Sequence, residues 1–321
     1  MIALTLWYVL SQLWAVNADV TGLAIKNQLA VAALFLATRS IKSQRELVII
    51  AWGYLVGCLI GAYLLFVQNP DILAAPELST SRAGIEGVNI NYLSYALAVG
   101  LAVIVLLWSV YRVRVVRIGL AVCILPLVVS IWYSNTRGAE IAVVLLAIWI
   151  LVHHVRGALV AAWLMVAVCA LTIATGAADG VLHEIDSISV RSTGDLAGRL
   201  TIWPFAREVF SQHFIAGVGA AGFQAVDPTM VATHNVILEF ATGLGLVGVL
   251  TFLGLYVSAL VPATKGLTIG RRSLLVGAIL LVSSPMYLSG QWDLSPAAWL
   301  TLAMFSRIPL LTAAAVTPSS G

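Results

Sequence analysis

The stretch "INYLSYALAVGLAVIVLLWSV", Ile90 to Val110, decides the fold. It carries no charged side chain, and it matches the roughly 20 apolar residues that an α-helix needs to cross a bilayer. Working outward from it, the same test marks further runs at 1–16, 22–38, 47–67, 118–134, 138–154, 157–175, 235–262, 273–289 and 295–312. The composition agrees, with 61% hydrophobic and only 10% charged residues and a mean hydropathy of +1.01, against roughly 25% charged for an ordinary soluble domain. The expected fold is therefore all-α, a polytopic integral membrane helical bundle of about ten spans forming one membrane domain over residues 1–321. The opening "MIALTLWYVLSQLW" lacks the basic region and small-residue cleavage site of a signal peptide, so it reads as a first span that stays, unless earlier spans precede it.

Charge distribution sets the expected topology. Arg39, Lys42 and Arg45 share one gap between apolar runs, Arg112, Arg114 and Arg117 another, Arg156 a third, and Lys265, Arg271 and Arg272 a fourth. These gaps alternate with gaps poor in Lys and Arg, and the positive-inside rule places the basic ones in the cytoplasm, with both termini. Cys58, Cys123 and Cys169 lie inside apolar runs without metal or disulfide spacing, and they read as packing residues.

Two outer loops then have appreciable length. The first, 68–89, is rich in Pro, Ser, Gly and Asn and reads as irregular chain. The second, 176–233, holds acids, arginines and two histidines, and is long enough to build a site. Within it "LAGRLTIWPFAREVFSQHF" sets Leu196, Leu200, Trp203, Phe210 and Phe214 in a helical stripe. The expectation is an amphipathic helix on the outer membrane surface, with Trp203 and Phe205 at headgroup depth and Pro204 either in its first turn or at a kink.

Four constellations in this outer region could carry chemistry. In "SNTRGAE", Ser134 to Glu140, an arginine opens a helix and so opposes the helix dipole. Arg137 is thus placed for an anion, with Gly138 admitting close backbone approach, although pairing with Glu140 or with lipid phosphate accounts equally for its presence. Arg199 and Arg207 on the loop helix could reach an anionic lipid-linked substrate or simply headgroups. "GVGAAG", Gly217 to Gly222, formally matches a dinucleotide fingerprint, but no strand–helix–strand unit surrounds it, and a tight turn near a glycan or diphosphate is the better reading. In "THNVILEF", Thr233 is expected to cap a helix starting at His234, whose dipole would keep that imidazole neutral and able to accept a proton. Asn235 and Glu239 share a face of this helix, whereas His234 and Glu239 do not. Glu239 therefore reads as a bundle-facing support. His153, His154, His183 and His213 suggest no site, Lys26 in the second run could approach the outer bundle face or equally snorkel, and no acidic pair has the look of a divalent-cation site.

Taken in order, "SNTRGAEIAVVLL", "GRLTIWPFAREVFSQHFIAGVGAAGF" and "THNVILEFATGLGLVGVLTF" resemble the O-antigen ligase and O-antigen polymerase superfamily of bacterial envelope glycosyltransferases. The likeness runs over about 134–252 and rests on Arg137 with Gly138, Arg199 with Trp203, Gly217 with Gly219, His234 with Asn235, and Gly245 with Gly248. The chain departs from the family in having about ten expected spans where many relatives have about twelve, and in Thr242, near which many relatives carry an acidic or polar residue.

The resemblance implies a metal-independent, inverting transfer of an undecaprenyl-diphosphate-linked glycan on the periplasmic face of the inner membrane. Arg137, Arg199 and His234 would be catalytic, and Gly138, Trp203, Arg207, Gly217, Gly219 and Asn235 would bind substrate. No cofactor, no metal and no nucleic acid is expected, the partners being the polyprenyl-diphosphate-linked glycan donor, a lipid or glycan acceptor and membrane lipids. A ligase would use a lipid A core acceptor and a polymerase a second lipid-linked repeat. A non-enzymatic polysaccharide flippase, expected to line a midplane cavity with charge, is the reading from another class.

Overall fold

The computed structural model describes residues 1–70, 82–154, 199–261, 268–290 and 292–313. Every regular element among them is helical: α1 (Ile2–Leu10), α2 (Ala18–Arg39), α3 (Gln44–Gln68), α4 (Ile90–Val110), α5 (Arg114–Ser134), α6 (Arg137–His154), α7 (Arg199–Gln212), α8 (Phe223–Val226), α9 (Val236–Leu260), α10 (Ile269–Ser289), α11 (Pro296–Ser306) and α12 (Leu310–Ala313), with short 3-10 turns at Ser11–Leu13 and Trp292–Leu294. Five of the described helices begin where a side chain supplies an acceptor for first-turn N–H groups, which have no intrahelical partner. Asn17, Asn89, Asn235 and Thr268 cap α2, α4, α9 and α10 with their side chains, and Ser43 and Glu46 form a reciprocal capping box at α3.

Among the described residues, α2, α3, α4, α5, α9 and α10 are long and apolar enough to cross a membrane. The chain is a multi-pass membrane protein. α6 coincides with the run expected at 138–154, whereas the run at 157–175 lies outside the described residues, as do Arg156, Cys169, His183, Lys265 and Leu196. The first and last expected spans are shorter than the apolar runs suggested. At 1.5 Å per residue α1 covers roughly 14 Å, about half a hydrocarbon core of ~30 Å, because the chain turns at Ser11–Leu13 and restarts behind the Asn17 cap. α11 begins only at Pro296 and stops before Arg307. Hydropathy counts apolar residues in turns as it counts those in helices, so it lengthened both.

α4 is the innermost helix. Leu97, Ala98, Val99, Ala102 and Val103 are all fully buried, and consecutive buried positions point to every side of a helix. α3, α5, α6 and α10 pack around it.

α9 is broken at Gly245, which has φ 68° and ψ −166°. A break inside a bundle frees backbone groups that lipid cannot satisfy, and here the preceding loop and α1 satisfy them. Val218 N donates to Thr242 O at 2.9 Å, Gly219 N to Gly243 O at 2.9 Å, the Trp7 indole to Leu244 O at 2.8 Å, and Leu246 N to Phe214 O at 2.8 Å. The "GVG" turn is thus pressed into the break: a Cβ on Gly217 would lie 2.4 Å from Gly243 C, and one on Gly219 would lie 2.8 Å from Ala15 Cα. The turn expected at Gly217 and Gly219 is present, and the close backbone approach it makes is to α9 and to Ala15.

The buried stripe on α7 differs as well. It is Ile202, Ala206 and Val209, packed on Val218 and Phe223. α7 ends at Gln212, so Phe214 falls beyond it and is exposed. Trp203 and Phe205, expected at headgroup depth, turn inward onto this cluster, and Pro204 lies inside the helix beyond the first turn.

The bundle has two unlike ends. At one, Arg307 donates to Ile41 O, Arg271 to Ser109 O at 2.9 Å and Arg117 to Tyr111 O at 2.8 Å, beside the His153 to Ser273 hydrogen bond of 2.7 Å. The other gathers the starts of α2, α4, α6, α7 and α9 and the end of α10, and all the motifs with chemical interest lie there.

Candidate functional site

The site is built around the entry to α9. Asn235, in extended conformation, is the cap, its Oδ1 accepting from Leu238 N at 3.1 Å. The expectation that Thr233 would cap a helix starting at His234 is therefore corrected, since the helix starts at Val236 and His234 stands outside it. Thr233 is buried and does something else: its hydroxyl lies 2.9 Å from both Asn235 O and Glu239 Oε2. Its carbonyl accepts the Trp203 indole N–H at 3.0 Å. Thr233 and Asn235 thus pin the chain on both sides of His234, which adopts a left-handed backbone with φ 50°. That conformation costs a non-glycine residue on the order of 1 kcal/mol or more and persists only where the surroundings enforce it.

His234 is half-buried. Burial first, and the positive charge of Arg199 second, lower its pKa below the usual 6.5. The imidazole is shifted toward its neutral form, the direction expected, with desolvation and the Arg199 guanidinium as the causes.

Arg199, the first described residue of α7, reaches across to the end of α10, where its Nη2 donates to Ser289 O at 2.9 Å. A cation at the C-terminal carbonyls of a helix is favourably placed. The same serine meets the start of α6. A Cβ on Gly138 would lie 2.5 Å from Ser289 Oγ and 3.0 Å from Tyr95 Oη, and these two oxygens are themselves 3.0 Å apart. Gly138 is thus the residue that lets the "TRG" element close on α10. Arg137 beside it is the first residue of α6 and is exposed. Arg199, Gly138, Trp203 and the His234 turn are therefore brought to one end of the bundle around Ser289, with Arg137 at its edge. Arg207 is exposed off the buried stripe of α7, and Gly217 and Gly219 belong to the helix break.

Several residues here had drawn no attention in the sequence. Asp293, in the turn between α10 and α11, shares a cavity of about 50 Å³ with Glu239, Tyr8 and Tyr92. Burial, and then the charge of Glu239, push its pKa up to about 7. A lone acid between two apolar runs was a usable signal, and the two carboxylates do pair in space although nothing in their spacing linked them. Arg82, from the first outer loop, binds the "SNT" corner through Ser134 and Thr136. Nothing in the sequence could connect it to a corner that distant.

Residues 122–253 match the family model described as O-antigen ligase. That stretch of the chain is therefore similar to the O-antigen ligase family. The matched region contains α6, α7, the helix break and the His234 turn, so it contains every motif that carried the resemblance. No curated protein matches the chain. The matched region supplies Arg137, Arg199 and His234, while Tyr95, Ser289 and Asp293 come from helices and turns outside it.

Proposed function

We propose that the chain is a glycosyltransferase of the O-antigen ligase type, which moves a glycan from an undecaprenyl-diphosphate donor to an acceptor sugar hydroxyl on the periplasmic face, with a lipid A core sugar as acceptor. One observation carries this reading: Arg199 binds the carbonyl of Ser289, the residue whose hydroxyl packs on Gly138 beside Arg137, while its charge is felt at His234, so cationic groups and a base of lowered pKa converge on one end of the bundle. In the proposed step the acceptor oxygen attacks the anomeric carbon, and the C1–O bond to the diphosphate breaks with its electron pair leaving on the phosphate oxygen. Arg137 and Arg199 stabilise the negative charge that grows there, a contribution larger in the transition state than in the ground state. His234 accepts the acceptor hydroxyl proton from the opposite face of C1, which gives inversion. Asn235 and Trp203 hold the His234 turn, and Arg207 meets the donor or lipid headgroups. Residues 134–252 would form the reacting core, and the 176–233 loop its periplasmic cover.

The reaction needs no divalent cation in this scheme, so transfer should survive EDTA. The deciding experiment is transfer from a defined polyprenyl-diphosphate glycan, in purified membranes, to a lipid A core acceptor and separately to a second lipid-linked repeat. Arg137→Ala and His234→Ala should leave the protein inserted and lower transfer by about 10²- to 10⁴-fold, to a residual rate that can still be measured; full activity of both would sink the assignment. Product formed only with the lipid-linked repeat would convert the ligase reading into a polymerase one.

A further inference from the structure

We infer that Arg82 is a positioning residue for Arg137, an inference that rests on the glycosyl-transfer reading above. Arg137 follows a corner that is hard to hold. α5 ends at Asn135, a non-glycine residue in the left-handed region with φ 50° and ψ 44°, and α6 begins two residues later. The first turn of α6 hangs from the Thr136 carbonyl, which accepts Ala139 N at 2.9 Å and Glu140 N at 3.1 Å. Whatever fixes Thr136 therefore fixes the direction in which Arg137 leaves the backbone.

Arg82 grips both sides of this corner. Its Nε donates to Ser134 O at 3.0 Å, ahead of Asn135, and its Nη2 to Thr136 Oγ1 at 2.8 Å, behind it. The same Nη2 donates to Asn91 Oδ1 at 2.6 Å, which ties the corner to the first turn of α4, the innermost helix. Ala83 N adds a bond to Tyr133 O at 3.1 Å, and Ser134 Oγ closes the corner onto Thr136 Oγ1 at 3.1 Å. Ser134 and Thr136 are buried, so water is a poor substitute for the guanidinium. Glu140 lies within electrostatic reach of both Arg82 and Arg137, so the two arginines sit on one small patch of charge.

The chemistry asks for arginine. A planar guanidinium presents fixed donors along one edge and can span three acceptors at once, whereas the single ammonium of lysine cannot hold that fork. The 68–89 loop thereby gains a role, since its end carries the clamp that aims the residue proposed to meet the diphosphate.

The test is a double-variant cycle in the transfer assay, with thermal unfolding recorded for each protein. Misplacing a reacting group by about 1 Å can cost 10²-fold in rate, and Arg82→Ala is expected to lower kcat on about that scale. Arg82→Lys should not restore it, and the KM for the acceptor should stay unchanged. In the Arg137→Ala background, Arg82→Ala should add no further loss, because its effect passes through Arg137. Equal losses in the two backgrounds, or wild-type kcat in Arg82→Ala, would overturn the inference. If Arg82→Ala does not fold, Thr136→Val, which removes one acceptor, carries the same cycle. Hydrogen exchange supplies a reading independent of activity. Amides 135–140 should exchange faster in Arg82→Ala than in wild type, and unchanged exchange would refute the clamp. A wild-type protein that transfers no glycan from any polyprenyl-diphosphate donor would defeat the glycosyl-transfer reading alone, leaving the exchange experiment to decide the clamp.

Discussion

His234 joins a backbone in the left-handed region to a side chain whose pKa is lowered by burial and by Arg199. The two properties are separable by substitution. His234→Asn should fold like the wild type, because asparagine tolerates left-handed φ, yet lose about 10²- to 10⁴-fold in kcat as expected when a general base is removed. A retained rate would show that the backbone and not the imidazole matters. The sign of the pH dependence follows from the lowered pKa. The active form is the neutral one, so kcat/KM should stay level as pH falls to the ordinary histidine value of about 6.5 and decline only below it; a decline beginning above that value would contradict the buried, guanidinium-flanked setting. Asp293 works in the opposite sense. Its folded pKa is raised from 3.8 to about 7, and its Oδ1 is buried with no hydrogen-bond partner. A carboxyl that resists ionisation in the folded state stabilises the fold least where the unfolded chain is ionised, so stability should fall as pH rises from about 4 to about 7 and level off above. Asp293→Asn should remove that slope in a series of thermal unfolding midpoints, the gap being on the order of a few kcal/mol at neutral pH.

At the scale of elements, the broken helix α9 organises the site end. Gly245 has a backbone that side chains rarely adopt, and a Cβ there would lie 2.2 Å from Ile215 O. Gly245→Ala should therefore cost about 3 kcal/mol or more. Gly254→Ala, farther along α9 where an added Cβ meets nothing within 4 Å, should stabilise by up to about 1 kcal/mol. Comparable unfolding midpoints for the two variants would mean that the break is not held as described. The contrast also marks what the sequence could disclose. Long apolar runs announce helices because lipid leaves backbone groups no other partner, so α2 to α6, α9 and α10 were legible with their approximate ends. The spaced glycines were visible, but whether a glycine permits a turn, a break or a close helix contact depends on what arrives from elsewhere in the chain. The close approach expected at Gly138 is made by Ser289, and the one at Gly217 by the break in α9. Among the candidate site residues, Arg199 and the His234 turn come together as the motif order suggested. Arg82 and Ser289 were invisible because their importance lies in contacts between residues far apart in sequence, and Asp293 was visible as a lone acid between apolar runs but its pairing with Glu239 was not.

At the scale of the molecule, the question is which way the bundle faces. The basic gaps that alternate along the sequence meet in space: Arg271 donates to Ser109 O beside Arg112, and Arg307 donates to Ile41 O beside Lys42. Arg82, Arg137, Arg199 and Arg207 lie at the opposite end, but among the described residues the short turns of the basic end hold more, Arg39, Lys42, Arg45, Arg112, Arg114, Arg117, Arg271, Arg272 and Arg307, and these are the topogenic signal. Because Lys and Arg in short loops are retained in the cytoplasm, the His234 turn should face the periplasm, the side on which transfer from a lipid-linked donor is proposed. Single cysteines can read this in a background lacking Cys58, Cys123 and Cys169. Ala225 is exposed on α8 at the site end, and Ile269 is 82% exposed at the start of α10 at the basic end. A membrane-impermeant thiol reagent added to spheroplasts should label Ala225→Cys directly and Ile269→Cys only after permeabilisation. The reverse pattern would put Arg137, Arg199 and His234 in the cytoplasm and rule out the periplasmic reaction, while leaving the geometry that joins them as it is.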